Sequence, residues 1–359
     1  MEDMVVDTSF WSGRKVLVTG HTGFKGAWLA MWLNEMGSEV TGLSFEPDTT
    51  PNLWSMLAID DQVKSYVGDI RDSEIVTKVL EVEPEIVFHF AAQSLVRKSY
   101  RDPVETFSTN VVGTVNLLHE IAKSAAVRAV VVATSDKVYE NHEDGKPFVE
   151  SDRLGGADPY SASKSACEIA VRAMRESFFS DDSVGLATVR AGNVIGGGDW
   201  SADRLVPDII RGCLTGDGVV TLRAPESIRP WQHVLEPLSG YLKLAQRLFN
   251  EPGIYSSEYN FGPASIEELN VRGVADGIIS CLKKGRLHCE YNEEALKESI
   301  VLRVDTGLAS TLLDWQPAFD IGETLSLTAQ WYAEWHRGAN VCRLTASQIK
   351  TYQQRMAAK

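Results

Sequence analysis

Tyr160 and Lys164 lie four residues apart in "DPYSASKSACEIA", a spacing that a helix stacks on one face. An ammonium beside a phenol favours phenolate and lowers its pKa from about 10. Tyr160 then reads as a base near neutral pH, taking a hydroxyl proton while hydride leaves the same carbon. Ser135, in "ATSDKVYEN", completes the set as a hydrogen-bonding partner for the reacting oxygen. The same stretch places Asp136 directly beside Lys137 at the end of an apolar, β-branched run. Adjacent side chains on a strand point to opposite faces, so a simple ion pair is not the reading; an acid and an amine here reach different places.

A YxxxK pair occurs on many exposed helices, and its meaning comes from what precedes it. "VLVTGHTGFKGAWLA" supplies Gly20, Gly23 and Gly26, with Phe24 among them, between a strand and a helix. Small residues there let the backbone approach a pyrophosphate, whose charge sits at the helix N-terminus. The expected ligand is a dinucleotide. The spacing is GxxGxxG, and the acid expected about 20 residues on to hold the ribose is absent. Ser44 occupies that place, with Glu46 and Asp48 just beyond; the lack of a nearby Arg favours NAD over NADP. "VGDIRD" offers Asp69 and Ile70, either as an adenine-edge contact or as a plain turn.

These residues need a scaffold, and the patterning supplies one. "KVLVTG", "EVTGLS", "EIVFHFAA" and "AVVVATS" read as strands; "GAWLAMWLNEMG" and residues 104–125 read as helices. Alternating strands and helices imply right-handed crossovers and a parallel sheet covered on both faces. The fold class is α/β, a Rossmann-like doubly wound parallel sheet. After about residue 190 the pattern loosens into "GNVIGGGDW", a short helix at "RLVPDIIRGCLTG", and helices near 267–284 and 322–337. We expect residues 1–190, rejoined by about 228–262, to bind the dinucleotide. A smaller, discontinuous substrate domain takes 191–227 and 263–359.

Bulk composition narrows the partners. The 359 residues carry a formal net charge of −14, which argues against a general nucleic-acid binder or docking on an anionic membrane. The five cysteines, Cys167, Cys213, Cys281, Cys289 and Cys342, lack CxxC spacing and suit free thiols in a reducing compartment. An acidic N-terminal stretch without an apolar core, and no run near the ~20 apolar residues of a membrane helix, place the expectation in the cytoplasm. No His/Cys/carboxylate cluster has metal-ligand spacing, so no metal is expected. His89 reads as a structural histidine, His233 has no assigned role, and Trp28 and Trp32 read as core.

In combination, GxxGxxG, "AAQS", Asn110 in "STNVVGT", "TSD" and "YSASK" resemble the extended short-chain dehydrogenase/reductase family. That resemblance adds Ala91, Ala92, Gln93 and Asn110 to the expected cofactor-binding residues. "TGHTGFKGAWL", "AAQSLVRKSY", "TSDKVYEN", "VRAGNVIGGGDW", "DRLVPDI", "SIRPWQHVLEPLSGY" and "YNFGP" further resemble the nucleotide-sugar 4,6-dehydratases, most of all those acting on CDP-D-glucose. It implies NAD as cofactor and CDP-glucose as substrate. C4 oxidation, loss of water across C5–C6 and hydride return to C6 would give a 4-keto-6-deoxy sugar for deoxysugar and lipopolysaccharide synthesis.

Asp136 stands where such enzymes carry the acid for the leaving hydroxyl. Lys137 replaces the usual Glu base, and either acts as the C5 base in its neutral form or only fixes geometry and contacts substrate. Asn193 and Arg229 match positions that meet the diphosphate, and Arg204 either joins them or caps the following helix. The resemblance also implies a homodimer, paired through the Tyr160 helix and the helix near Asn110. Two other readings share parts of this pattern: a nucleotide-sugar C4 epimerase and a non-catalytic dinucleotide-binding regulator.

Overall fold

The structure is a computed structural model, and it describes residues 6–263, 269–289 and 301–358. Its strands, in chain order, are β1 (Lys15–Thr19), β2 (Glu39–Ser44), β3 (Val63–Val67), β4 (Ile86–His89), β5 (Ala129–Ala133), β6 (Gly185–Ala191), β7 (Val194–Ile195), β8 (Val219–Leu222), β9 (Gln232–His233), β10 (Glu258–Phe261) and β11 (Arg286–Cys289). Seven of them form one parallel sheet in the order β10-β6-β5-β4-β1-β2-β3. β7 pairs with β9, and β8 with β11, as two small parallel ribbons.

Side-chain alternation explains why the sheet is covered on both faces. Val16 and Val18 of β1 join one core with Phe88 and Val131, whereas Leu17 joins the opposite core with Val87, Val130 and Val132. A period of two sorts neighbours to opposite faces, and both faces here are apolar. The first core holds the helices Phe24–Glu35 and Leu235–Asn250; the second holds Ser73–Leu80, Thr114–Ile121 and Pro159–Phe178. The chain leaves β1 toward β2 and β3, then returns to β4 on the other side of β1. At such a switch point the loops after β1 and β4 part and open a crevice at the carboxyl ends of the strands.

Two segments depart from the periodicity reading. The helix expected over 104–125 is a short helix Pro103–Phe107, a wide π turn Ser108–Gly113 and a helix Thr114–Ile121. A π turn inserts one residue, which an apolar pattern alone does not register. The tail also behaves differently from the expected substrate-side unit. Helix Val341–Ala357 packs on helix Phe24–Glu35, with Trp32 and Tyr352 rings 5.7 Å apart. Trp28 and Trp32 are accordingly enclosed on all sides. An amphipathic stripe says that a face is buried, not which element buries it.

A buried carboxylate pins this tail. Glu236 accepts from the backbone N–H groups of Ala318 (3.0 Å) and Phe319 (2.7 Å) and from the Tyr352 hydroxyl (2.6 Å). Ser239 receives Trp315 Nε1 at 2.9 Å and lies 2.9 Å from the same Tyr352 hydroxyl. A hydrogen bond to a charged group contributes about 1.5–3 kcal/mol. Tyr352→Phe is therefore expected to lower the free energy of unfolding by about 2 kcal/mol, seen as a lower urea midpoint at unchanged slope.

Candidate active site

The crevice at the carboxyl ends of the sheet is a cleft of about 880 Å³. Loops after β1, β2, β4, β5 and β6 form its floor, and residues 203–208 and 220–231 contribute its outer wall. The glycine loop closes one end. Gly20 has φ +73°, and a Cβ there would lie 2.7 Å from Ala91 N. A Cβ on Gly26 would strike the Gly20 carbonyl oxygen. Gly23 caps helix Phe24–Glu35 with no side-chain bond, so the first-turn N–H groups remain for an anion. These features fit a dinucleotide pyrophosphate.

Phe24, Ile70, Ala91, Ala92 and Gln93 all line the cleft. Ser44 hydrogen-bonds Thr22 at 2.7 Å, and Glu46 and Asp48 line the same end. Two carboxylates there disfavour a ribose phosphate, which agrees with the NAD expectation. Asp69 also lines the cleft, but its carboxylate is gripped by Arg71 through Nε (3.0 and 2.9 Å) and backbone N (2.9 Å). The carboxylate thus closes the turn while standing at the cleft's edge. Asn110 does not line the cleft and is 1% exposed. It accepts from Gln93 N (2.8 Å) and donates to Gln93 O (3.0 Å) and Ser163 Oγ (2.8 Å). The expected cofactor ligand is thus a fastener behind the wall, joining the loop after β4 to the Tyr160 helix; the π turn aims its amide there.

Ser135, Asp136 and Lys137 emerge where β5 ends, and all three line the cleft with Tyr160 and Lys164. The strand stops at Ala133, and Asp136–Val138 form a 3-10 turn capped by Ser135, whose hydroxyl accepts from Lys137 N at 3.2 Å. The strand alternation expected for the Asp136–Lys137 pair is replaced by this turn. Asp136 is 2% exposed; Oδ1 accepts from the Ser135 hydroxyl at 3.1 Å, and Oδ2 has no protein partner. Gly192 must lack a side chain, because a Cβ would overlap this carboxyl. Burial raises the Asp136 pKa, outweighing nearby Lys137, Arg229 and Lys25. Burial thus favours the protonated form of this carboxyl more than in an exposed aspartate.

The phenol behaves differently from expectation. Burial raises the Tyr160 pKa, opposed by a hydrogen bond with Ser135 and by the Arg204 charge. Lys164 lines the cleft beside it, and its Nζ donates to Ala133 O at 3.0 Å, holding the end of β5. Arg204 reaches Asp199 (3.1 Å) and Ser94 (3.1 Å) and makes no side-chain cap to the helix it precedes, so its guanidinium faces the cleft. Arg229 is buried against Ile228 O (2.8 Å), and Asn193 sits at φ +44° with its carbonyl accepting from Gln232 N at 3.3 Å. All three line the cleft.

Sequence reasoning missed Lys25 and Asp199, which also line it. Burial, with Arg204 adding to it, lowers the Lys25 pKa to about 8. The available signal was a lysine between Phe24 and Gly26 in the glycine loop. His89 is structural, as read: it lies 2.7 Å from Thr19 Oγ1 and 2.9 Å from Thr114 Oγ1, and burial holds it neutral. His233 stands in the core against Trp28 and Phe319, away from the cleft.

The sequence and the fold that carry this cleft have relatives. Residues 16–262 match the NAD dependent epimerase/dehydratase family, and the chain belongs to it. Among its relatives, a CDP-glucose 4,6-dehydratase of Salmonella typhimurium is 44% identical over 354 residues, covering 97% of this chain and 98% of that protein. A UDP-glucose 4-epimerase of Lactobacillus helveticus is 26% identical, covering 90% and 97%. The solved dTDP-glucose 4,6-dehydratase of Bacillus anthracis, in complex with NAD, shares the fold at a TM-score of 0.75 and 22% identity, covering 90% and 97%.

The buried acid has a thermodynamic signature. Its folded pKa lies above its ordinary 3.8, so the native state binds more protons and loses stability as pH rises above that value. Asp136→Asn keeps the shape without the titration. It is expected to be more stable than the parent at pH 7, with the gap shrinking as pH falls toward about 4; denaturant unfolding at both pH values checks this.

Proposed function

We infer that this chain is an NAD-dependent dehydratase that converts CDP-D-glucose to CDP-4-dehydro-6-deoxy-D-glucose. The observation that carries the reading is Asp136: a buried carboxyl with one oxygen free of protein partners, in one turn with Lys137 and lining the same cleft as Ser135, Tyr160 and Lys164. The 44% identity to a CDP-glucose 4,6-dehydratase supports the substrate.

Bound NAD supplies a hydride acceptor for C4 and a hydride donor for C6. Tyr160 takes the 4-hydroxyl proton, with Ser135 bonded to the same oxygen. The resulting 4-keto group acidifies C5–H, and Lys137 removes that proton in its neutral form. Asp136 protonates the C6 hydroxyl, which leaves as water; when hydride returns to C6, C5 takes back the proton held by Lys137, and the proton Tyr160 took from the 4-hydroxyl balances the one Asp136 gave. Arg229, Arg204 and Asn193 hold the diphosphate, where a guanidinium can bond two oxygens at once. Residues 1–190 with 228–262 carry the cofactor, while 191–227 and part of the following chain carry the sugar nucleotide.

The active unit is proposed to be a homodimer. Val104, Phe107, Val112, Ile169 and Phe178 are exposed apolar side chains on the Asn110 and Tyr160 helices, and a second copy would cover them. We place the protein in the cytoplasm, where its five free cysteines remain reduced. No helix among the described residues is long and apolar enough to cross a membrane.

Incubation of the holoenzyme with CDP-, dTDP-, UDP- and GDP-glucose is expected to give a 4-keto-6-deoxy product, fastest from CDP-glucose. A C4-epimerised hexose as the sole product would establish an epimerase instead, and no turnover of any substrate would favour a regulator. Lys137→Ala is expected to keep slow C4 oxidation and lose elimination, whereas Tyr160→Phe loses both by ~10²–10⁴-fold. Product formed at the parent rate by Lys137→Ala would remove the base assignment.

A further inference from the structure

The segment carrying Ser135, Asp136 and Lys137 is anchored at both ends by one buried ion pair. Glu168 and Arg190 have no solvent exposure and meet through two bonds, Nε to Oε1 at 3.0 Å and Nη2 to Oε2 at 2.7 Å. The Thr134 hydroxyl donates to Glu168 Oε1 at 2.5 Å, and Thr188 donates to Oε2 at 2.8 Å. Arg190 turns its remaining Nη1 the other way, to the Tyr139 hydroxyl and the Glu150 carbonyl, both at 2.9 Å. Its guanidinium carbon also stands 5.1 Å from the Tyr139 ring centroid. The Tyr139 hydroxyl donates onward to Asn260 Oδ1 at 2.6 Å.

Thr134 immediately precedes Ser135, and Tyr139 immediately follows the 3-10 turn. The reacting turn therefore spans a gap between two side chains held by the same pair. Glu168 is also one helical turn beyond Lys164, and Ser165 beside Lys164 donates to Val138 O at 2.8 Å. One ion pair thus ties the turn bearing the acid and amine to the helix bearing the phenol. Glu168, Arg190 and Tyr139 do not line the cleft. Stability alone does not call for buried charges here, since well-packed apolar residues are often as stable or more so. What such a pair supplies is a fixed geometry, and misplacement of reacting groups by about 1 Å costs on the order of 10²-fold in rate.

We propose that Glu168 and Arg190 are positioning residues that act through Thr134 and Tyr139 to set the 135–137 turn against Tyr160 and Lys164. They thereby govern oxidation and elimination together without touching the substrate. The inference rests on the roles proposed above for Ser135, Asp136 and Lys137.

The test compares Thr134→Val, which keeps the shape but lacks the hydroxyl, with Thr134→Ser, which retains it, using the NAD-loaded enzyme and CDP-glucose. Thr134→Val is expected to lower kcat about tenfold or more with KM within twofold and a thermal midpoint close to the parent. Thr134→Ser is expected to recover kcat to within about threefold. Tyr139→Phe, loosening the other anchor, is expected to lower kcat at unchanged KM and carries the test if Thr134→Val does not fold. The proposal is overturned if Thr134→Ser is as impaired as Thr134→Val, or if Thr134→Val or Tyr139→Phe retains the parent kcat. Asp136→Asn is assayed alongside: elimination at the parent rate would remove the acid assignment itself, separately from the positioning role.

Discussion

Within the interior beyond β5, two buried carboxyls are partnered very differently. Glu168 is compensated by Arg190 and by two threonine hydroxyls. Asp136 has one weak hydroxyl donor and an oxygen with no protein partner, so burial drives it toward its neutral form. The first carboxyl makes the second useful. Removing one member of a buried pair costs about 3–5 kcal/mol, because the other is left uncompensated; such a pair holds its surroundings in one arrangement. The turn that displays Asp136 inherits that rigidity.

The sheet makes the contrast possible. Because all seven strands run parallel, their carboxyl ends gather on one edge, and each loop there contributes to one cleft. Gly20 after β1 and Ala91 after β4 approach so closely that only a hydrogen fits between them. Asn110 then joins the β4 loop to Ser163, within the Tyr160 helix. Lys164 joins that helix to Ala133 at the end of β5. Cofactor floor, phenol and acid are thus linked by three side-chain clasps, each reaching from one segment's polar group to another's backbone or hydroxyl.

Much of the fold was legible. The central strands β1, β2, β4 and β5 are apolar runs, and the glycine loop sits at the junction its function requires. β3 was passed over, and its Lys64 and Ser65 are exposed in keeping with an edge strand; β6 and β10 also went unread. Helix Val341–Ala357 packs on helix Phe24–Glu35, a neighbour that its apolar face does not specify in the sequence. The π turn at Asn110 was invisible for a related reason: one inserted residue leaves the composition of the helix unchanged while redirecting one amide.

The sequence by itself determined the chemistry available: a glycine loop for a pyrophosphate, a Ser/Tyr/Lys set, and an acid beside an amine. Those depend on residue type and short spacing, which covalent connectivity preserves. Tertiary structure alone decided the charge state and direction of each group. Lys164 donates to a carbonyl at the end of β5, burial raises the Asp136 pKa, Asn110 fastens loops, and Lys25 joins the cleft. Protonation and orientation follow from burial and from partners remote in sequence, such as Arg190 for Glu168 and Gly192 for Asp136, and these distances exist only once the chain has folded.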